Sequence, residues 1–344
     1  MSSFPSSLPE PAVLPLRGGA ALRWGVLAPG AIAKTFTSAM HDHTDQRVVA
    51  VASRSVERAE AFATLHGIER FYRSYEQLVS DPDVDVVYIA SPHSEHRAHA
   101  LLAIAAGKHV LVEKPIAVTA AEARDIVDAA RSAGVFAMEA MWTRYQPKSV
   151  LVHQLLDDGV LGEPRIVTAD FGVQFPVDLE GRIYNPALAG GGLLDIGVYA
   201  VWFAQSVLGS PDRITASGSL VQTGVDGQSV AILDYDSGAQ AIVSNNILVQ
   251  TPSGAAISGT LASVEIDSPF FTPGGFVLRD AGSEATLRFD DRGPAGGSGM
   301  AWQAAGVAQH IADGMTESPW HPLDLSISML QTIDSIREQV GYRI

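Results

Sequence analysis

The chain has 344 residues, 47% of them apolar and 18% charged, which is enough for two domains with large cores and too apolar for a disordered chain. Its 23 basic residues against 38 acidic ones leave a net charge of −15, which argues against a nucleic-acid or anionic-membrane partner but not against a locally basic pocket. The absence of cysteine excludes disulfides, thiol catalysis and thiolate metal sites.

The chain starts MSSFPSSLPEPAVLPLRGG, rich in Pro and Ser and without the basic end and apolar core of a signal peptide. Residues 1–21 read as a flexible leader or an arm packed on a neighbour. No run of about 18 apolar residues marks a membrane span, and a cytoplasmic location is expected. From Leu22, LRWGVLAPGAIAKTFTSAM reads as strand, glycine turn and helix. QRVVAVASRS is a strand, VERAEAFATLHG a helix, and DVDVVYIASP an apolar strand. HRAHALLAIAAG is a helix, HVLVEKP a strand, AAEARDIVDAARSAG a helix and VFAMEAMW a further strand. This alternation predicts an α/β domain with a parallel, doubly wound, Rossmann-type sheet over 22–146.

The first turn reads Ala28-Pro29-Gly30-Ala31-Ile32-Ala33, where the dinucleotide fingerprint has G-x-G-x-x-G or A. Gly30 keeps the position at which backbone approaches a pyrophosphate, with a helix N-terminus behind it. The second strand ends at Ser53 and Arg54. No acid stands there for a ribose hydroxyl, and Arg54 suits a 2′-phosphate, so NADP is expected over NAD. Two further strand ends fall on the same sheet edge: Ser91-Pro92-His93, followed by His96, and Glu113-Lys114-Pro115. The three-residue spacing of His93, His96 and His99 lacks a fixed acid partner, so no metal is expected.

Beyond Pro147 the pattern changes. SVLVHQLLDDGVLG is a helix and PRIVTADFGVQF an alternating strand. GGGLLDIGVY, residues 190–199, opens a helix that puts Asp195 and Tyr199 one turn apart on one face. Short strands at regular spacing follow, among them SVAILDYDSG, AQAIVSNNI, AISGTLASVEI and GGFVLRD, then two helices. An α+β domain with a large, mostly antiparallel open sheet is expected over 147–344, with the C-terminal helix free to pack back on the first domain.

Together, Ala28-x-Gly30, Ser91-Pro92, Glu113-Lys114-Pro115 and GGGLLDIGVY resemble the glucose–fructose oxidoreductase/inositol dehydrogenase (Gfo/Idh/MocA) family over nearly the whole chain. Tyr199, where inositol-type members carry His, and the stretch MEAMWTRYQP resemble its dihydrodiol and D-xylose dehydrogenase branch. The resemblance implies hydride transfer between NAD(P) and a hydroxyl or carbonyl carbon of a sugar, polyol or dihydrodiol, and a homodimer or larger oligomer through the second-domain sheet. In that setting Tyr199 is the expected acid/base. Its ordinary pKa of about 10 is too high for the task unless the Lys114 cation lowers it. Asp195 is expected to pair with Lys114 or accept substrate hydroxyls, and Arg144 and Arg182 to reach the substrate. Two other readings stay open: an enzyme that shuttles a tightly held cofactor between two sugars, and a non-catalytic NAD(P) sensor on the same fold.

Overall fold

A computed structural model describes residues 4–342, which fall into two compact units. The first holds residues 14–146 and 294–327. The second holds the described residues up to 13, residues 147–293 and the described residues from 328 onward.

In the first unit, strands β1 (Arg23–Leu27), β2 (Arg47–Ala52), β3 (Arg70–Tyr72), β4 (Val86–Ile89), β5 (His109–Val112) and β6 (Ala137–Glu139) form one sheet in the order β3-β2-β1-β4-β5-β6. Every pair is parallel. Helices α1 (Ala31–His43), α2 (Val56–His66), α3 (Tyr75–Val79), α4 (His96–Ala105) and α5 (Ala120–Ala133) make the crossovers. β4 is buried along its whole length, as a parallel strand covered on both faces must be. α5 shows the local logic of the helices. Thr119 caps it, Ala120, Ala123, Ile126, Val127 and Ala130 form its buried stripe, and Gly134 ends it at φ +64°. Strand order reverses between β1 and β4, so the chain after Leu27 and after Ile89 leaves the sheet at the crevice where open α/β sheets bind ligands. β3 and α3 are additions to the sequence expectation. A three-residue, partly exposed edge strand carries too little periodic signal to be read.

In the second unit, α6 (Pro147–Asp157) and β7 (Pro164–Gly172) lead through a long loop to a π-helical turn, Leu193–Gly197, and α7 (Val198–Leu208). There follow β8 (Arg213–Leu220), β9 (Asp226–Asp234), β10 (Gln240–Asn246), β11 (Ala255–Gly259), β12 (Ala262–Ile266), β13 (Phe276–Asp280) and β14 (Thr286–Phe289). The eight-stranded sheet runs β14-β13-β12-β11-β7-β10-β9-β8. It is antiparallel except where β10 pairs with β7. AISGTLASVEI, read as one strand, is the hairpin β11–β12, which reverses at Thr260-Leu261. Burial alternates along β9: Ser229, Ala231 and Leu233 face inward, Val230 and Ile232 outward. α7 packs on β7 and β10. Pro186–Leu208 is long and apolar enough to cross a membrane, contrary to the expectation that no such run exists. However, 89% of its apolar window is buried within the fold, so it serves as a core segment.

Two C-terminal helices complete the chain: α8 (Met300–Ala312) and α9 (Leu323–Val340). Residues 294–327, expected with the second domain, cluster with the first unit, where α8 lies against α1. The described part of the leader contains no helix or strand. It is nevertheless held by its own chain: Ala12 N–H donates to Gln154 Oε1 (2.8 Å), and Gly18 N–H to Asp45 Oδ2 (2.7 Å).

Candidate active site

In the first unit the expected cofactor residues gather at the carboxyl ends of β1, β2, β4 and β5. Ala28 takes the left-handed conformation (φ +63°) and the Gly30 N–H closes the turn on its carbonyl (2.8 Å), so the alanine adopts the tight turn usually left to glycine. Gly30 is the N-cap of α1. No side chain caps this helix, and its first turn, from Ala31 and Ile32, contains no acid. A Cβ at Gly30 would find only the Ala28 carbonyl, at 4.0 Å. Open space before uncapped N–H groups is what a pyrophosphate needs, so these residues fit a dinucleotide.

At the end of β2, Ser53 Oγ accepts the Ser55 N–H (3.2 Å). Ser55 itself caps α2 and donates to Glu57 (2.7 Å), an acid the sequence reading overlooked in this neighbourhood. The Arg54 guanidinium bonds the Tyr75 hydroxyl, and the Tyr75 ring meets His99 edge-on at 4.5 Å.

At the end of β4, Ser91 Oγ meets His99 Nδ1 (2.9 Å), Pro92 precedes a 3-10 turn, and buried His93 lies 5.6 Å from the His96 ring. The His96 ring nitrogens each lie 2.8 Å from a backbone carbonyl, Pro115 on one side and Ser91 on the other. Burial lowers its pKa to about 4 against the pull of those carbonyls. Both ring nitrogens are thus occupied by backbone carbonyls of their own unit. Among the described residues no group of three or more His, Asp or Glu is arranged to hold one.

At the end of β5, buried Glu113 accepts the Tyr88 hydroxyl (2.5 Å) and the Lys114 N–H (3.2 Å). Burial raises its carboxyl above the usual range, although these two donors oppose the shift. The Lys114–Pro115 bond is cis. Arg144, expected to reach substrate, is buried in the turn after β6. Its Nε donates to the Trp320 carbonyl (3.1 Å) and its guanidinium sits 5.4 Å from the centre of the Trp320 ring.

In the second unit the glycine triplet serves packing. A Cβ at Gly190 would lie 2.6 Å from the Ile183 carbonyl, at Gly191 2.2 Å from Asp226 Oδ1, and at Gly192 2.4 Å from Asn245 Nδ2. Asp226 Oδ2 accepts the Leu193 N–H (2.7 Å) and thereby fixes the first residue of the π-helical turn. Such turns inside helices are frequent at functional sites. Asp195 lies within this turn and Tyr199 in the first turn of α7. Arg182 grips Asp195 with two nitrogens (2.6 and 3.3 Å), so the expected substrate ligand and the expected acid form one bidentate pair.

Tyr199 is buried against a pair of phenylalanines. Phe271 lies 5.2 Å away, Phe171 5.8 Å, and the two stack on each other at 4.0 Å. Phe271 was missed, since a loop phenylalanine in DSPFFTPGG carries no periodic signal. Also missed was Lys148. Burial lowers its pKa to about 8, and its Nζ donates to the Thr272 carbonyl beside Phe271.

Residues 22–141 match a family described as an oxidoreductase family with an NAD-binding Rossmann fold, and residues 150–265 match the GFO/IDH/MocA C-terminal domain. The chain is 38% identical over 335 residues to trans-1,2-dihydrobenzene-1,2-diol dehydrogenase of Homo sapiens, covering 93% of this chain and 97% of that one. Its fold is similar to levoglucosan dehydrogenase in complex with NADH and levoglucosan (TM-score 0.84, 21% identity, 93% and 97% of the two chains). It is also similar to a 3-ketoreductase from Actinomadura kijaniata in complex with NADP and TDP-benzene (TM-score 0.80, 27% identity, 93% and 98%).

Proposed function

The chain belongs to the Gfo/Idh/MocA oxidoreductase family and is an NAD(P)-dependent enzyme acting on CH–OH groups, and we propose that its substrates are cyclic diols, sugars or polyols, handled with NADP, with Tyr199 as acid/base and Lys114 as its partner. The observation that carries this reading is the placement of Tyr199, a buried phenol at the start of α7 walled by Phe171 and Phe271. Stacked rings beside the Tyr199 ring favour a substrate with an apolar ring face, such as an unsaturated cyclic diol. The human relative bears the name of such an activity.

The cofactor-binding assignment follows the strand ends. Ala28, Gly30, Ala31 and Ile32 would take the pyrophosphate. Ser53 and Arg54 would take the 2′-phosphate, and Ser91, Pro92, His93, His96, Glu113 and Lys114 would border the ribose and nicotinamide. When bound, the cofactor supplies the carbon that exchanges hydride. The protein's own part is proton movement. As a phenolate, Tyr199 takes the proton of the substrate hydroxyl during oxidation, and as a phenol it returns that proton during reduction. A cation from Lys114 stabilises the phenolate and lowers the phenol's pKa from its ordinary value of about 10. Asp195 alone would oppose this, but its charge is met by Arg182, which makes the pair a support and leaves the proton chemistry to Tyr199. The outward face of the second-unit sheet exposes Ile166, Val230, Ile232 and Ile242, and supports association of two copies through that face.

Absorbance at about 340 nm with NADP and a panel of trans-dihydrodiols, D-xylose and other aldoses tests the activity. Tyr199→Phe is expected to lower turnover at least about 100-fold with NADPH affinity nearly intact; undiminished turnover rejects the assignment. Arg54→Ala is expected to weaken NADP at least about tenfold more than NAD; equal losses reject the cofactor preference. NADPH binding with no turnover on any substrate would instead favour the sensor.

A further inference from the structure

Glu139, in MEAMW, takes no part in the chemistry above, yet it is a buried charge with a partner on both carboxylate oxygens. It ends β6 and is 1% exposed. Its Oε1 accepts the Ile116 N–H at 3.0 Å, and its Oε2 accepts from His321 Nε2 at 3.0 Å. Ser326, also wholly buried, reaches the same His321 nitrogen at 3.1 Å and bonds the carboxylate as well. Burial pushes the Glu139 carboxyl up, but His321, Ser326 and the Ile116 N–H together outweigh it, so the group is held below the usual range and ionised. The other titratable groups whose charges act across this region are Glu113 and His96.

Ile116 stands two residues beyond Lys114, and the segment between them is fastened at every step. The Lys114 N–H bonds Glu113, the Pro115 carbonyl meets His96, and the Ile116 N–H bonds Glu139. Pro115 has no N–H to satisfy. One orphan N–H needs only a carbonyl or a water. Burying a carboxylate instead, with a histidine to orient it, carries a penalty of several kcal/mol per ion before compensation. A fixed carboxylate, unlike a water, holds the Pro115–Ile116 peptide plane that follows Lys114 in the chain.

We propose that Glu139, oriented by His321 and Ser326, is the positioning residue that holds the Lys114 segment in its working geometry. The inference rests on the reading of Lys114 as the partner of Tyr199.

Three Glu139 variants are compared by kcat and by the pH at which kcat/KM for oxidation half-rises, with folded protein quantified by circular dichroism. Glu139→Ala is expected to lower kcat at least tenfold and move that limb upward by about one pH unit, because a displaced cation stabilises the phenolate less. Glu139→Gln keeps an oxygen for Ile116 and, with His321 in the tautomer that accepts at Nε2, an amide donor for the ring, so it should retain at least half of kcat and the original limb. Glu139→Asp keeps the charge but retracts the oxygens by one methylene, and should fall with Glu139→Ala. If the alanine variant does not fold, the contrast between Gln and Asp decides. An Asp variant with native kcat and limb per folded molecule overturns the proposal, as does equal behaviour of Gln and Asp. Lys114→Ala is the control. If it leaves both readouts unmoved, the reading of Lys114 itself fails. If it moves them and Glu139→Asp does not, only the positioning role fails.

Discussion

Two glycine turns open the two helices that matter, and they use glycine for opposite reasons. In the turn before α1, Gly30 has no protein atom within reach of an added Cβ except the Ala28 carbonyl at 4.0 Å. In the turn before α7, each glycine of the triplet is pressed against its own unit, with added Cβ atoms 2.6, 2.2 and 2.4 Å from their nearest neighbours. Ahead of the uncapped N-terminus of α1, the empty space at Gly30 leaves room for a ligand, whereas the filled space at the triplet marks packing within the protein. The triplet therefore clears Asp226, Asn245 and the carbonyls of Arg182 and Ile183, which seat the π-helical turn carrying Asp195.

The largest effect that separates the two turns is expected at Gly191. Its φ of +110° is closed to L side chains, and the new methyl group would collide with Asp226. Gly191→Ala should destabilise the protein by about 4 kcal/mol, combining backbone strain and overpacking. Chemical denaturation would measure it, and a loss below about 1 kcal/mol would mean the triplet is not the packing element described.

Asp226 gives the next effect. Burial raises its pKa from 3.8 to about 7, against the Leu193 N–H, Asn245 and the Arg337 charge, and its Oδ1 is buried without a hydrogen-bond partner. Because the folded state holds the proton more tightly than the unfolded state, stability from this group is complete below about pH 4. It is lost as pH rises through about 7. Asp226→Asn does not titrate, so its stability relative to the native chain should improve by about 2 kcal/mol between pH 5 and pH 8. Calorimetry at the two pH values checks the sign; a difference that stays constant with pH would show that Asp226 is ionised throughout.

How much of this was legible in the sequence differs between the turns. Strand, turn and helix around Gly30 follow each other locally, so this part of the fold could be read from adjacent residues. Glu113-Lys114-Pro115 was equally readable, as a lysine just past an apolar strand. The neighbours of the glycine triplet are distant in sequence: Asp226 and Asn245 come from β9 and β10, and no local period announces them. The Arg182–Asp195 pair spans an irregular loop, and Phe271 and Lys148 meet Tyr199 and Thr272 only through the folded sheet. Glu139 sits within the MEAMWTRYQP stretch, yet its partner His321 lies 182 residues away. Long-range polar partners were the part that pattern reading could not supply.

For Gly30 the comparison predicts an effect on binding with the fold intact. Gly30→Ala has an extended φ of −94° that any residue adopts, and its methyl group meets ordinary contacts. Stability should stay within about 0.5 kcal/mol. The methyl occupies the approach to the α1 N-terminus, so NADPH affinity should fall about tenfold, or about 1.4 kcal/mol. Fluorescence titration would measure it, and unchanged affinity would move the pyrophosphate away from this turn.

The smallest effect is expected at Ala28, where this chain departs from the fingerprint. The left-handed conformation costs an L residue about 1–2 kcal/mol, and Ala28 bears that strain at φ +63°. Glycine removes it but gives the unfolded chain more freedom, which takes back about 0.5–1 kcal/mol. Ala28→Gly should therefore raise stability by about 0.5–1 kcal/mol in calorimetry. The turn is already tight, with Gly30 N–H on the Ala28 carbonyl and Ala28 N–H on the Ala52 carbonyl (3.1 Å), so NADPH affinity should change less than about twofold. A loss of stability would instead mean that the alanine methyl makes contacts worth more than the strain. The first turn would then resemble the second, a glycine position claimed by the protein's own packing.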